Sequence, residues 1–161
     1  MLTQFENLPD DSRVWIYQAN RKLSDDEVAQ ITEKTEDFLT KWTAHGADLE
    51  AAVEMRYNRF IVLGLNQANA SASGCSIDAS VHFIQSLQEE YDLDLLDKMN
   101  VTFYSGDYIA HKPLAEFRKM AKEKSVSKNT VVFNNLINTK AEYLENWEVP
   151  ATESWHNRFL S

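Results

Sequence analysis

The chain has 161 residues, of which 43% are hydrophobic and 11% aromatic, and its formal net charge is −9. This length and composition fit one folded domain with a core of ordinary size, and they argue against a disordered segment. The acidic balance argues against a dedicated nucleic-acid binder, because such a protein neutralises phosphates with a basic face.

Residues 1–13 are polar and contain a turn signal that begins at Pro9. They show no basic region followed by an apolar core, so no signal peptide is expected. No apolar run approaches the roughly 20 residues that span a bilayer. The single cysteine, Cys75, cannot form an internal disulfide, so the fold does not depend on an oxidising compartment. We therefore expect a cytoplasmic protein without a membrane span.

The first strand is predicted at residues 14–17, which are all apolar, and a helix follows. Ser24 and Glu27 have the spacing of a capping box and mark the start of this helix. His45 and Gly46 are expected to end it, with Gly46 as the C′ residue. Its apolar stripe comprises Val28, Ile31, Thr35, Phe38, Leu39 and Trp42.

Residues 51–57 alternate between apolar and polar side chains, which predicts a half-exposed strand. Residues 60–65 are apolar throughout and read as a buried central strand, joined to the preceding strand by a tight turn at Asn58 and Arg59. A second long helix is predicted from about Ser76 to Leu93. Its apolar residues at helical spacing are Ile77, Val81, Ile84, Leu87 and Tyr91.

The rest of the chain alternates between the two structure types. Strands are predicted at residues 100–104 and 130–133, with a short edge pairing at 108–111. Pro113 suits the first turn of a third helix, and residues 141–147 are predicted to be helical. A short terminal helix is expected after Thr152, its predicted N-cap.

This order predicts an α+β protein with a ferredoxin-like (split βαβ) core, in which both long helices cover one face of a four-stranded antiparallel sheet. A helix, a strand and a helical tail are added after that core. The alternative is a three-layer α/β sheet, in which the third helix and fifth strand cover the other face. Both alternatives place residues 1–161 in a single domain.

The stretch from Asn66 to Asp78 is the candidate site. A strand, a loop of small polar residues and a helix gather free backbone N–H groups at one point, where a polar ligand or an anion can bind. The same serines are also expected as helix caps. The candidate ligand-binding residues are Ser71, Ser73, Gly74, Ser76 and Asp78, together with His45. The favoured function is a binding module for a small polar ligand or a protein partner.

Cys75 supports the alternative, a cysteine-dependent enzyme or thiol sensor in which Cys75 is the catalytic residue. A helix N-terminus favours the reactive thiolate. Helical spacing places Asp78 and His82 on the same side as Cys75. The sulfur and the imidazole are two turns apart, however, about 10 Å along the axis, which is too far for a direct pair. A packed, inert cysteine is the other interpretation of the same residue.

No cofactor or metal is predicted, since the four histidines have no paired spacing and one cysteine cannot build a thiolate site. Two further features indicate surfaces for partners. The tail is rich in residue types that anchor interfaces, although it could equally pack on its own domain; these are Trp147, Trp155, His156, Arg158 and Phe159. A local basic patch surrounds the third helix and comprises Lys112, Arg118, Lys119, Lys122, Lys124 and Lys128.

Three segments, at residues 42–46, 73–78 and 155–159, resemble a family of short bacterial proteins that often carry the label "ABC transporter ATPase". The resemblance covers nearly the whole chain and implies no particular substrate or catalytic residue. An ABC-type ATPase holds the nucleotide phosphates with a G-x-x-x-x-G-K-[ST] loop. This chain contains no such loop, so the sequence does not predict ATP hydrolysis.

Overall fold

The computed structural model describes residues 1–160 and divides them into two compact units. The first unit contains residues 1–96 and 138–141, and the second contains residues 97–137 and 142–160. Within residues 1–160, four α-helices and nine strands in antiparallel sheets confirm the predicted α+β class. The prediction of one domain over residues 1–161 stays a prediction.

The first unit contains two long helices and five strands. In chain order these are β1 (Arg13–Gln18), α1 (Asp25–Thr40), β2 (Thr43–Ala44), β3 (Ala47–Asp48), β4 (Glu50–Arg56), β5 (Phe60–Asn66) and α2 (Gly74–Tyr91). A single 3-10 turn, Phe5–Asn7, precedes β1.

The main sheet of this unit has the order β1-β5-β4, with β5 in the middle and antiparallel to both neighbours. All six residues from Phe60 to Leu65 are buried, as predicted for a central strand. One face of β5 carries Ile61, Leu63 and Leu65, which join the buried side chains of α1 and α2 in one core. The other face carries Gly64, against which the side chains of Phe5 and Leu8 lie.

The helix α1 begins as predicted. Ser24 Oγ accepts from Glu27 N at 3.1 Å and the Glu27 carboxylate accepts from Ser24 N at 2.9 Å, which completes the capping box. The Arg21 guanidinium also binds this carboxylate, and these hydrogen bonds lower the pKa of Glu27 to about 2. The predicted buried stripe is confirmed at Ile31, Leu39 and Trp42.

The predicted end of α1 at Gly46 is wrong. The helix ends at Thr40 with Lys41 as its C-cap, and the chain then forms the short hairpin of β2 and β3. His45 and Gly46 are its two turn residues, with φ of 52° and 80°. Two successive residues with positive φ are what a tight two-residue hairpin turn requires, so glycine serves a turn here and not a helix terminus.

The buried face of α2 also differs from the predicted stripe. Ile84 and Leu87 are buried as expected, but Ile77 is 38% exposed, whereas Ser76 and Ser80 are buried. The serine hydroxyls are satisfied locally, since Ser80 Oγ donates to the Ile77 carbonyl at 2.6 Å and Ser76 Oγ to the Ser73 carbonyl at 2.9 Å. Burying these small polar side chains therefore costs little free energy. The buried face of α2 carries both polar and apolar residues.

We expect Gly64→Ala to destabilise the protein by about 1–3 kcal/mol, the usual cost of overpacking. An added Cβ would overlap Leu8 Cδ1 and approach Phe5 Cε2 to 3.1 Å. Gly74→Ala is the matched control, because nothing lies within 4 Å of that position. Urea unfolding followed by circular dichroism measures both variants. Equal stabilities for the two variants would contradict the close contact at Gly64.

The second unit is built on a four-stranded antiparallel sheet of order β7-β6-β8-β9. Its elements are β6 (Asn100–Ser105), β7 (Tyr108–Pro113), α3 (Leu114–Lys122), β8 (Val131–Phe133), α4 (Lys140–Asn146) and β9 (Glu148–Pro150), the first two residues of α4 being counted with the first unit. The core between this sheet and α3 includes Val101, Phe103, Phe117 and Val132.

The strand at Asn100–Ser105 does not extend the sheet of the first unit. Strands β1, β5 and β4 follow the order expected of a split βαβ core, but β6 pairs with β7 and β8 instead of β1. The two-residue turn at Gly106 and Asp107 returns the chain directly alongside β6, and β8 occupies its other edge. Both edges of β6 are therefore filled by strands that follow it in the chain.

The C-terminal tail consists of two 3-10 helices, Ala151–Glu153 and Trp155–Phe159, instead of one helix capped by Thr152. Ser154 separates them and occupies the N-cap position of the second without a side-chain capping hydrogen bond. Trp155 and Leu160 pack against the core of the second unit, and His156 is 1% exposed. Of the two sequence-based alternatives for the tail, packing on its own domain is the one observed.

Candidate functional site

The junction between β5 and α2 is organised by two serines. Ser73 is the N-cap of α2, and its Oγ accepts from Ser76 N at 3.1 Å. Ser76 Oγ in turn accepts from Ser73 N at 2.6 Å. The expected capping role of these residues is thus confirmed. Asn66 stabilises the start of the loop, since its Oδ1 accepts from Ala68 N at 3.0 Å.

Cys75 is the second residue of α2 and is exposed. It therefore is not a packed cysteine. The capping box uses the N–H of Ser76, and Ile77 N donates to the Ser73 carbonyl at 2.9 Å. Within residues 1–160 no side chain forms a hydrogen bond with the thiol, so no base is positioned on it.

A groove of about 850 Å³ runs between α1 and α2 in the first unit. We refer to it as the α1–α2 groove. The lining comes from α1, the segment and hairpin after it, and nearly the whole length of α2 with its N-cap; it comprises Lys34, Asp37, Phe38, Lys41, Trp42, Thr43, His45, Ser73, Cys75, Ser76, Ala79, Phe83, Ser86, Leu87 and Glu90.

Aromatic rings form the apolar part of this groove. Phe38 from α1 and Phe83 from α2 stack with their centroids 4.7 Å apart and an angle of 11° between the planes. Trp42 lies next to Phe38 at 5.8 Å, and its indole N–H donates to the Ser76 carbonyl at 2.8 Å. This hydrogen bond joins the segment just after α1 to the first turn of α2. It holds Trp42 beside the stacked rings of Phe38 and Phe83, which we call the aromatic wall.

Charged side chains line the rim of the groove. Lys34 Nζ donates to Glu90 Oε2 at 2.6 Å, and this hydrogen bond raises the pKa of Lys34 and lowers that of Glu90. Lys41 and Asp37 form a second, looser ion pair at 3.6 Å. Both pairs are at the surface and contribute little stability. They place charge of both signs along the rim.

Four of the predicted site residues share the groove: Cys75, Ser73, Ser76 and His45. His45 reaches it from the β2–β3 turn and not from a helix terminus. Ser71, Gly74 and Asp78 are not part of the lining, and His82 is an exposed residue of α2 outside it. The predicted grouping of Cys75, Asp78 and His82 therefore does not face one cavity.

The sequence-based prediction missed the aromatic wall. Phe38 was predicted as core and Phe83 was not singled out, yet their stacked rings define the groove. A signal for it exists in the spacing of Ser76, Ala79, Phe83 and Leu87, which lie on one side of α2 at intervals of three and four residues. Small residues followed by an aromatic on one helical face leave space beside that ring.

Within residues 1–160 no cluster of three or more histidine, cysteine or acidic side chains could hold a metal ion. None of the helices in this range combines the length and the apolar character needed to cross a bilayer. No protein-family profile, curated protein or solved structure matches this chain.

Proposed function

We propose that the protein is a binding module that takes a small organic ligand in the α1–α2 groove. The observation that carries this proposal is the groove itself. Its volume of about 850 Å³ lies in the range of small-molecule sites, which combine apolar and aromatic walls with a few polar groups. The stacked pair of Phe38 and Phe83 is a surface on which a flat apolar ring can lie.

We expect the polar end of the ligand to lie at the first turn of α2. Ser73 and Cys75 line the groove there, and the helix N-terminus attracts negative charge through its dipole. His45 and Lys41 line the same groove and add cationic or hydrogen-bonding groups near Trp42 in the sequence. We therefore expect a ligand with a flat apolar body and an anionic or hydrogen-bond-accepting end.

The dye 8-anilinonaphthalene-1-sulfonate has this chemistry and serves as the probe. Its fluorescence should rise on titration of the native protein, with one saturable site. Ala79→Trp would fill the groove from an exposed position and should weaken binding at least about tenfold, equivalent to 1.4 kcal/mol. Ala29→Trp, an exposed alanine of α1 outside the lining, should leave binding unchanged. Equal affinity of Ala79→Trp and the unmodified protein would overturn the proposal.

A cysteine-dependent enzyme or thiol sensor is the second candidate function. Exposure of Cys75 within the groove favours it, because a reactive thiol must be reachable. The absence of a base bonded to the sulfur among the described residues weighs against it, because a dedicated nucleophile is activated by a neighbouring group. Retention of dye binding by Cys75→Ser supports the binding module. Turnover that depends on Cys75 would favour the enzyme.

We expect iodoacetamide to alkylate Cys75 completely in the native protein, without denaturant. The thiol is exposed, so the reagent reaches it directly, and because no side chain among residues 1–160 bonds the sulfur, the rate should remain well below that of a protease cysteine. Mass spectrometry of a time course measures this rate, with Cys75→Ser as the unlabelled control. Labelling only after denaturation would contradict the exposed position.

No hydrolysis of ATP is expected from the purified protein. The motivation is the missing G-x-x-x-x-G-K-[ST] loop, without which no lysine holds the β- and γ-phosphates. Phosphate release in the presence of magnesium measures this. Magnesium-dependent release that is abolished by substitutions at Ser73 and Gly74 would contradict the prediction.

The location that we propose is the cytoplasm, since the one cysteine gives no internal disulfide.

A further inference from the structure

The charges of the chain are unevenly divided. The first unit contains 8 lysines and arginines against 17 acidic residues, whereas the second contains 8 of each. Within the second unit, residues 108–129 contain six basic residues and only Glu116 and Glu123 as acids. The chain is thus acidic as a whole but has a basic surface around α3.

Arg118 of this surface and Arg158 of the C-terminal tail share one aromatic ring. The Arg118 guanidinium lies 5.5 Å from the centre of the Phe159 ring, and that of Arg158 lies 5.7 Å from the same centre. The two guanidiniums are therefore no more than about 11 Å apart. We call these three residues the Arg–Phe–Arg cluster. Cation–π contact holds an arginine in place while its N–H donors stay available.

The two arginines lack acidic partners in residues 1–160. Two neighbouring lysines are paired, Lys112 of β7 with Glu116 at 3.6 Å and Lys119 of α3 with Glu123 at 4.0 Å. Neither Arg118 nor Arg158 forms such a pair, although both are exposed. Donors of a rigid guanidinium fork match a carboxylate in bidentate geometry.

The segment that carries Arg158 and Phe159 is fixed by the core. The His156 ring stacks on Trp155 with centroids 3.8 Å apart and meets the edge of Phe117 at 5.9 Å. Trp155 and Leu160 pack against the same core. The positions of Arg158 and Phe159 are therefore preorganised, which lowers the entropic cost of binding at this surface.

We propose that the Arg–Phe–Arg cluster is a docking surface for an acidic segment of a protein partner. Two guanidiniums match two carboxylates of an extended Asp/Glu-rich segment, and the partly exposed Phe159 offers an apolar contact between them. Arginines with aromatic residues are the composition of interaction hot spots. Nucleic acid fits less well, because it needs many phosphate contacts and is repelled by a chain of net charge −9.

The probe is a fluorescein-labelled peptide of six glutamates with a central phenylalanine, and fluorescence anisotropy reports its binding. Arg118→Gln combined with Arg158→Gln should weaken binding at least about tenfold. Lys22→Gln combined with Lys98→Gln removes the same charge from two exposed lysines outside the cluster and should change binding less than about twofold. Arg118→Lys with Arg158→Lys keeps the charge but loses the planar forks, and should give an intermediate loss.

Circular dichroism of each variant establishes that the fold is kept, and if the glutamine pair unfolds, the lysine pair decides alone. Equal loss of peptide affinity in the cluster variant and in the Lys22/Lys98 control would overturn the proposal. It would show that the peptide is attracted by overall charge and not by a defined site. Tighter binding of a single-stranded oligonucleotide of equal charge, or of anionic lipid vesicles, would also overturn it. Equally tight binding of a peptide in which glutamines replace the glutamates would likewise overturn the proposal.

Discussion

Replacing Trp42 with alanine is expected to destabilise the protein by about 3–5 kcal/mol, the cost of deleting a large buried aromatic side chain. Trp42 is 3% exposed and meets Trp15 edge-on at 6.1 Å and Phe38 at 5.8 Å. The substitution also leaves the Ser76 carbonyl without the indole N–H that donates to it at 2.8 Å. Urea unfolding followed by circular dichroism measures the loss.

Trp42→Phe separates the two contributions. It keeps most of the buried ring area but removes the N–H, so a loss of about 0.5–1.5 kcal/mol is expected from the lost hydrogen bond, because the Ser76 carbonyl keeps its partner within the helix α2. Dye binding in the α1–α2 groove should weaken in both variants, because Trp42 joins the two helices that form it. A loss below about 0.5 kcal/mol for Trp42→Ala, typical of surface positions, would contradict its buried position.

Elements specified by local chemistry were predictable from the sequence. The start of α1 follows from Ser24 and Glu27, whose side chains satisfy each other's backbone N–H groups within four residues. The central strand β5 follows from its unbroken apolar run, because only a strand covered on both faces buries every side chain. Neither prediction needs knowledge of any distant residue.

Elements that depend on neighbours in space were predicted less well. Ile77 was expected to be buried by helical spacing, but the position of α2 against α1 buries Ser76 and Ser80 instead, and the hydroxyls find acceptors within the helix. The pairing of β6 depends on competition between strands for its two edges, which hydrophobic patterning does not encode. The hairpin at His45 and Gly46 has strands of only two residues, too short for a periodic signal.

The candidate site was also predictable only in the part that depends on residues close together in the sequence. The capped N-terminus of α2 with Ser73 and Cys75 was predictable, because a strand, a small-residue loop and a helix are adjacent in sequence. The aromatic wall was not, since Phe38 and Phe83 are 45 positions apart and stack only after two helices have packed. A groove is a property of the space between elements, so its location follows from packing and not from either helix alone.

The second large effect is a dependence of stability on pH that is caused by His156. Its ring is 1% exposed, lies between Trp155 and Phe117, and has Ser154 Oγ 2.6 Å from Nδ1. Burial among these groups disfavours the charged ring and lowers the pKa of His156 from 6.5 to about 4. Between those two pH values the unfolded chain binds a proton that the folded protein does not, so stability falls as the pH is lowered.

The free energy of unfolding should therefore decrease by about 3 kcal/mol from pH 7 to pH 4 through His156, at 1.36 kcal/mol for each pKa unit. His156→Phe keeps a buried ring that cannot titrate, so its stability relative to the unmodified protein should rise by this amount over the same range. Carboxylates titrate equally in both proteins and cancel in the difference. A difference that stays constant with pH would show that His156 is charged without penalty, which its buried aromatic surroundings do not allow.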